Sequence, residues 1–213
     1  MTTTPLLPRH LLDDRPVALL IRHAERPPIP IGSDGMSLSL TERGVRDARD
    51  LGRALGSRIV QVHTSAVLRC VETASFILEG AGLSLVPIED PIIGVPGAFI
   101  RPTPDARRTM RELGVEGLIR HMVVGEGALP GLIDPKEGAR VLREHVLDSL
   151  TRRVGLHLFV THDAMIAALV ARSWPGCIGE PLPDFLEAAA LWRDGDRVVL
   201  SYRQHWSDVA CLP

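Results

Sequence analysis

Two histidines follow apolar runs of strand length, each beside a second polar residue. Arg22 and His23 follow one such run, and His162 and Asp163 follow another. If these runs are neighbouring parallel strands, both imidazoles meet at the carboxyl edge of the sheet, where open α/β sheets bind their ligands. Arg69 lies near a predicted helix start that follows another apolar run, the second predicted strand along the chain, so we expect it at the same edge.

This combination of side chains predicts chemistry on a phosphoryl group. The guanidinium forks of Arg22 and Arg69 can neutralise phosphoryl oxygens, and a neutral imidazole is a nucleophile toward phosphorus. His23, His162 and Asp163 are also metal-ligand types. Because the two arginines would repel a cation, we expect no metal at the site.

The surrounding elements alternate between strand and helix. Apolar runs predict strands at residues 17–21, 59–63, 84–88 and 155–161, and apolar spacing predicts helices at residues 41–56, 69–78, 137–150 and 164–172. Asp194-Gly195-Asp196 predicts the turn of a late antiparallel hairpin between residues 188–192 and 197–202. We therefore expect a single three-layer α/β/α domain over residues 1–213, with a mostly parallel central sheet.

Residues 89–135 are the least regular part of the sequence. This stretch is rich in glycine and proline and is too long for a simple connection, which favours a lid or specificity segment. It contains four arginines that either grip a charged substrate or form a solvated helical face: Arg101, Arg107, Arg108 and Arg111. We take Arg101, together with Arg26 beside the first histidine, as candidate substrate-binding residues.

Composition narrows the classes of partner and compartment. The formal net charge of −2, from 24 basic and 26 acidic residues, argues against nucleic acid and acidic membranes as partners. Cys70, Cys177 and Cys211 are odd in number and far apart, which favours a reducing compartment over a zinc or disulfide framework. With no apolar leader or membrane span in the sequence, we expect a cytoplasmic protein.

Four segments resemble the motifs of the histidine phosphatase, or phosphoglycerate mutase-like, superfamily. They occur in the family's order and span much of the chain: residues 20–25 (LIRHAE) resemble its R-H-G/A-E signature, residues 40–44 (LTERG) its L-T-x-x-G helix start, residues 65–74 its S-x-x-x-R-x-x-x-T-A segment, and residues 160–163 (VTHD) the strand with its second histidine. The resemblance implies a phosphoglycerate mutase-like fold.

The resemblance also implies a role for each matching residue. His23 would attack phosphorus to form a phosphohistidine that water hydrolyses, Arg22 and Arg69 would hold the phosphoryl oxygens, and His162 would donate a hydrogen bond to them. Glu25 would orient the loop. The remaining histidines are assigned to structural positions: His10, His63, His121, His145, His157 and His205.

The general acid is where the sequence departs from many family members. The slot in which they carry a glutamate corresponds to Gly94, which argues against a mutase. The acid-phosphatase branch uses the aspartate of a His-Asp pair, so Asp163 is the expected proton donor, with helix capping as the alternative role. Glu89, Asp90, Glu116 and Glu126 are the other candidate acids.

The resemblance therefore implies a phosphomonoesterase that acts on a small phosphorylated metabolite without a cofactor. Two alternatives remain open, a phosphoglycerate mutase-type phosphoryl transfer and a non-catalytic binding protein on the same fold. The physiological substrate and the oligomeric state cannot be read from the sequence.

Overall fold

A central mixed sheet organises the chain. The computed structural model describes residues 15–30, 32–33, 35–150, 153–174, 182–203 and 205–209. Within them, seven strands lie in the order β3-β2-β4-β1-β5-β6-β7. In chain order these strands are β1 (Pro16–Arg22), β2 (Ile59–Thr64), β3 (Ile88–Glu89), β4 (Gly155–Thr161), β5 (Ala188–Asp194), β6 (Arg197–Tyr202) and β7 (His205–Val209).

The described helices connect the strands and cover both faces of the sheet. They are α1 (Glu42–Leu55), α2 (Leu68–Ala81), α3 (Pro104–Val124), α4 (Pro135–Asp148) and α5 (Asp163–Ser173), with short 3₁₀ helices at Gly56–Arg58, Pro91–Ile93 and Gly97–Phe99. Helix α1 begins as the sequence predicts, because the hydroxyl of Thr41 accepts a hydrogen bond of 3.0 Å from the amide of Gly44.

The parallel half of the sheet positions the site. Strand β4 lies between β1 and β2 and is parallel to both, so these three strands end at one edge. The other half, β5 to β7, is antiparallel. The expected hairpin is confirmed, with Gly195 at φ 60° in its turn, while β7 was not predicted. The α/β class and its parallel core are thus confirmed in a mixed sheet.

Alternation along β1 divides the core into two layers. Val17, Leu19 and Ile21 are buried in the cluster that includes α1 and α2, whereas Ala18 and Leu20 are buried in the cluster that includes α3, α4 and α5. Because successive side chains of a strand point to opposite faces, helices cover both faces. This is the predicted three-layer arrangement.

Two predicted elements differ from the structure. The strand expected at residues 84–88 is reduced to Ile88–Glu89 at the sheet edge, since Pro87 lacks an amide proton and Val86 is 83% exposed. The irregular segment contains the 21-residue helix α3, with non-helical backbone at Gly114. Its glycines hide the helical pattern, although Thr103 caps its first turn.

Three residues named in the sequence analysis lie outside the described residues: His10, Cys177 and Cys211. Among the helices that are described, none is both long and apolar enough to cross a lipid bilayer.

Candidate active site

The two predicted histidines meet at the carboxyl edge of neighbouring strands. His23 follows β1 and His162 follows β4, and the amide of His23 donates a 2.9 Å hydrogen bond to the carbonyl of Thr161. The imidazole centroids lie 5.7 Å apart with the rings at 69°. Both side chains are buried, so the sheet topology brings together two groups that lie far apart in the sequence.

His23 presents an unprotonated ring nitrogen to the guanidinium of Arg69. Its Nδ1 lies 2.8 Å from the carbonyl of Ala24, which can only accept, so Nδ1 carries the proton. Its Nε2 accepts a 3.0 Å hydrogen bond from Nε of Arg69. Burial, with the nearby positive charge of Arg69, lowers the pKa of His23 to about 2. The imidazole is therefore neutral near pH 7, with its lone pair on Nε2.

Arg69 links both histidines to the loop after β1. Besides its bond to His23, its Nη1 donates to the carbonyl of Gly35 at 2.8 Å and its Nη2 lies 3.3 Å from Nδ1 of His162. Thr73, one turn further along α2, receives the amide hydrogen of Ala24 at 3.0 Å. These contacts explain why an arginine and a threonine four residues apart are needed at this helix start.

His162 is also neutral, but its hydrogen bonds differ from the expected ones. Because Nδ1 faces the donor Arg69, Nε2 carries the proton and donates to the hydroxyl of Ser65 at 3.1 Å. Burial, and secondarily Arg69, lowers the pKa of His162 to about 4. In this arrangement the proton of His162 points to Ser65, so a hydrogen bond to a phosphoryl group would require a change of partner or of protonation.

Arg22 is the second cation of the cluster. Its Nη2 forms a 2.8 Å ion pair with Oδ2 of Asp163, and its Nη1 donates to the carbonyl of Pro183 at 2.5 Å. Its Nε is buried and has no hydrogen-bond partner in the part of the chain that the structure describes. Burial lowers the pKa of Arg22, and the Asp163 carboxylate opposes this effect. Asp163 is the first residue of α5 and not its N-cap, and its Oδ1 accepts from the amide of Ala164 at 2.8 Å.

The other candidate substrate residues lie in different surroundings. Arg26 is half-buried, its Nη1 donates to Pro27 at 2.8 Å, and its charge lowers the pKa values of Arg22, Arg69 and His162. It therefore lies near the cluster. Arg101 is exposed, and its backbone forms hydrogen bonds with Gly131 and Thr103, which do not join it to the histidines.

The arginines of α3 are partly engaged elsewhere. Arg108 pairs with Asp105, whereas Arg107 and Arg111 line an open hollow of about 640 Å³ together with Pro104 and Met110.

The carboxylates considered as other acids have contacts of their own. Oδ2 of Asp90 binds Nδ1 of His63 at 3.1 Å and Nε2 of His145 at 2.7 Å. Although burial opposes it, these hydrogen bonds lower the pKa of Asp90 to about 2, so this group is ionised and cannot donate a proton near pH 7. Glu126 pairs with Lys136 at 3.2 Å. Glu89 and Glu116 are exposed.

Cys70 lies beside His162 in the same cluster, so its protonation state and its fitness as a metal ligand concern the site. The Cys70 thiol lies 3.8 Å from Nε2 of His162, and burial raises its pKa to about 12, so it remains protonated near pH 7. Within the described ranges, no three His, Cys, Asp or Glu side chains are placed to hold a metal ion.

Sequence reasoning missed the segment that covers the cluster. Pro183 provides the carbonyl for Arg22, and the ring of Phe185 lies 4.2 Å from the Arg22 Cζ atom and 5.7 Å from the His23 ring. No motif indicates this segment, because its contacts are with residues distant in the sequence. Ser65 belongs to the motif at residues 65–74, but its hydrogen bond to His162 joins distant segments and has no signal in the sequence.

Comparison with known proteins agrees with this architecture. Residues 18–91 match the model of the histidine phosphatase superfamily (branch 1), a range that includes His23 and Arg69. No curated protein matches the sequence.

Several solved structures share the fold at low sequence identity. YhfR from Bacillus stearothermophilus is 20% identical over 89% of this chain and 96% of its own, with a TM-score of 0.60. A mycobacterial glucosyl-3-phosphoglycerate phosphatase is 18% identical over 83% of this chain and 89% of its own, with a TM-score of 0.55. A phosphoserine phosphatase mutant from Entamoeba histolytica is 15% identical over 92% of this chain and 95% of its own, with a TM-score of 0.57. Residues 18–91 are therefore similar in sequence to the histidine phosphatase superfamily, and the described chain shares the phosphoglycerate mutase-like fold of these neighbours.

Proposed function

We propose that the protein is a phosphomonoesterase that hydrolyses a small phosphorylated metabolite through a phosphohistidine on His23. The observation that carries this proposal is the buried Nε2 lone pair of His23, which lies 3.0 Å from the guanidinium of Arg69. A neutral imidazole beside a fixed cation is suited to attack the phosphorus of a dianionic ester.

In the first step, the phosphoryl oxygens take N–H donors from Arg69 and Arg22. The Arg69 hydrogen bond then leaves Nε2 of His23, whose lone pair attacks phosphorus as the bond to the ester oxygen breaks. The charge that develops on the phosphoryl oxygens is stabilised by the guanidinium groups. His162 supports this step by holding Arg69, and it donates to the phosphoryl group once its partner changes.

Asp163 is the proposed proton donor to the leaving oxygen. Its side chain is 24% exposed and is ion-paired with Arg22. In this step Asp163 acts in its protonated form, and the arriving phosphoryl group competes with it for that guanidinium. In the second step, the resulting carboxylate accepts a proton from the water that attacks phosphorus, and the phosphorus–nitrogen bond breaks. Inorganic phosphate is released, and neutral His23 is restored without a cofactor.

Substrate recognition is proposed to involve Arg26 and Arg101, with residues 89–135 serving as the lid or specificity segment of a single domain. Arg26 lies near the cluster, so its role is argued from position as well as charge. The structural neighbours described as phosphatases of glucosyl-3-phosphoglycerate and of phosphoserine support a small phosphorylated substrate. The cysteine pattern supports the cytoplasm as the place of action.

Phosphate release from a panel of phosphorylated metabolites, with a chelator present, tests the proposal. The wild-type protein is compared with His23→Ala and with His205→Ala, which alters an exposed histidine outside the cluster. We expect His23→Ala to lose at least about 1,000-fold in kcat/KM and His205→Ala to keep wild-type activity. Equal activity of wild type and His23→Ala would contradict the mechanism.

A second assay separates a slow enzyme from a binding protein. Acid-labile phosphate trapped on wild-type protein but not on His23→Ala would show the phosphohistidine directly. If neither phosphate release nor a phosphoenzyme is found, the phosphatase proposal fails in favour of a binding protein on the same fold.

A further inference from the structure

A single aromatic ring contacts both the proposed nucleophile and a proposed phosphate-binding arginine. Phe185 lies in the turn between α5 and β5. Its ring centroid is 4.2 Å from the Cζ atom of Arg22, and it is 5.7 Å from the centroid of the His23 ring, at an interplanar angle of 46°. The ring thus forms one wall of the candidate pocket.

The turn that carries Phe185 is fixed by its neighbours. The amide of Arg22 donates a 3.0 Å hydrogen bond to the carbonyl of Glu187, and the amide of Leu186 donates a 3.2 Å hydrogen bond to the carbonyl of Arg22. The Glu187 carboxylate accepts from the amide of Asp184 at 2.7 Å and pairs with Arg203 at 2.5 Å. The turn therefore holds the ring against β1.

Backbone strain next to Phe185 indicates that this placement is enforced. Leu186 has φ 60°, a left-handed conformation that is unfavourable for a residue with a branched side chain, and it is buried. Such a conformation persists only where the surrounding contacts determine it, and it occurs preferentially at functional sites.

The contact with the ring uses none of the N–H donors of Arg22. Both terminal nitrogens of the guanidinium are engaged, with the carbonyl of Pro183 and the carboxylate of Asp163, whereas Nε is buried and has no partner among the described residues. A cation–π contact attracts the guanidinium through its face and uses none of its N–H donors. Phe185 therefore orients Arg22 while the Nε proton stays available to an anion and shielded from water.

The same ring contributes to the apolar cover of His23. The charged and polar groups that face this imidazole are Arg69, Arg22, His162 and the carbonyl of Ala24. Phe185 is the apolar ring in contact with it, so it reduces the access of water to the nucleophile.

We propose that Phe185 is a positioning residue, which holds Arg22 in its phosphate-binding orientation and excludes water from it and from His23. This inference deepens the proposed phosphatase function and rests on it for its catalytic consequence. Phe185 acts through Arg22, and it makes no contact with the leaving group of the substrate.

The first test needs no substrate. The exchange of the Arg22 Nε proton with water is measured by nuclear magnetic resonance in wild type, Phe185→Ala, Phe185→Leu and Phe76→Ala. Phe76 is a matched control, because its ring lies 4.8 Å from the Cζ atom of Arg49 in a second arginine–aromatic pair. We expect exchange to become about 10-fold faster in Phe185→Ala and to stay at the wild-type rate in Phe76→Ala. An unchanged rate in Phe185→Ala would overturn the proposal.

The second test measures kcat/KM for phenyl phosphate and for an alkyl phosphate. We expect Phe185→Ala to lose about 3- to 30-fold, equally for both esters, and Phe185→Leu to retain more because it keeps an apolar cover. A loss confined to phenyl phosphate would overturn the proposal in favour of direct contact with the leaving group. If the wild type releases no phosphate, the proposed function has failed, and the exchange rates still decide whether Phe185 holds Arg22.

Discussion

Nε of Arg69 donates a 3.0 Å hydrogen bond to Nε2 of His23. The proposed nucleophile and the proposed phosphate-binding cation are therefore in contact before any substrate arrives. An oxyanion that draws the Arg69 donors to itself also releases the lone pair that attacks it. In this arrangement, binding of the phosphoryl group and exposure of the nucleophile are one event.

Replacing Arg69 with lysine removes the guanidinium fork but keeps the charge. Arg69 reaches three partners, His23, His162 and the carbonyl of Gly35, and a single ammonium group cannot reproduce that planar geometry. We expect kcat/KM of Arg69→Lys to fall by about 100- to 1,000-fold, measured by phosphate release. Arg49→Lys, which breaks an exposed fork on Glu79, is the control, and near wild-type activity of Arg69→Lys would contradict the assignment.

Asp163→Asn tests the proton donor. Asparagine keeps an oxygen for the amide of Ala164, so the helix start is preserved while proton donation is lost. A good leaving group needs little protonation, so we expect kcat/KM to fall by about 100-fold or more for an alkyl phosphate and much less for p-nitrophenyl phosphate. Asp148→Asn, at an exposed ion pair with Arg193, serves as control. Equal losses on the two esters would show that Asp163 is not the acid.

The two buried histidines predict that stability falls with acidification. Burial lowers the pKa of His23 to about 2 and of His162 to about 4, whereas both are near 6.5 in the unfolded chain. The contribution of these histidines to the free energy of unfolding is complete above about pH 6.5. It is lost as the pH falls toward their pKa values in the folded chain. Between about pH 6.5 and 4, each histidine lowers the free energy of unfolding by about 1.4 kcal/mol per pH unit.

Urea unfolding of wild type and His162→Gln at several pH values measures this effect. We expect a shallower slope in His162→Gln, by about 1.4 kcal/mol per pH unit, because the difference in proton binding by His162 between the folded and unfolded chain is removed. Parallel slopes would mean that His162 takes up its proton equally well in the folded and unfolded chain.

Glycine at position 52 allows α1 and α2 to pack closely. A Cβ atom there would overlap the backbone oxygen of Ile77, and one at Gly80 would overlap that of Arg49. We expect Gly52→Ala to lower the free energy of unfolding by about 1–3 kcal/mol, measured by urea denaturation. Gly117→Ala is the control, since its Cβ would meet only the side chain of Leu113, at 3.2 Å. A stability equal to wild type in Gly52→Ala would contradict this packing.

Local sequence patterns were sufficient for most of the fold. The apolar runs before His23 and His162 are strands buried on both faces, and Thr41 and Gly195 mark a helix start and a hairpin turn through their own backbone chemistry. These features depend on residues close in sequence, so they can be read without the tertiary structure. Helix α3 is not evident in the sequence because Gly114 interrupts its pattern. Strand β3 is shorter than the apolar run at residues 84–88 predicts, because Pro87 cannot donate to the strand ladder.

The partners of each site residue depend on the path of the whole chain. Local patterns in the sequence predict that two histidines come directly after two buried strands and that an arginine lies close to each of them in the fold, since apolar runs and helix starts depend on neighbouring residues. The tertiary structure was needed to show that His162 donates to Ser65, that Asp90 binds His63 and His145, and that Phe185 covers Arg22. Such contacts join distant segments, and their geometry follows from how the loops pack over the sheet edge.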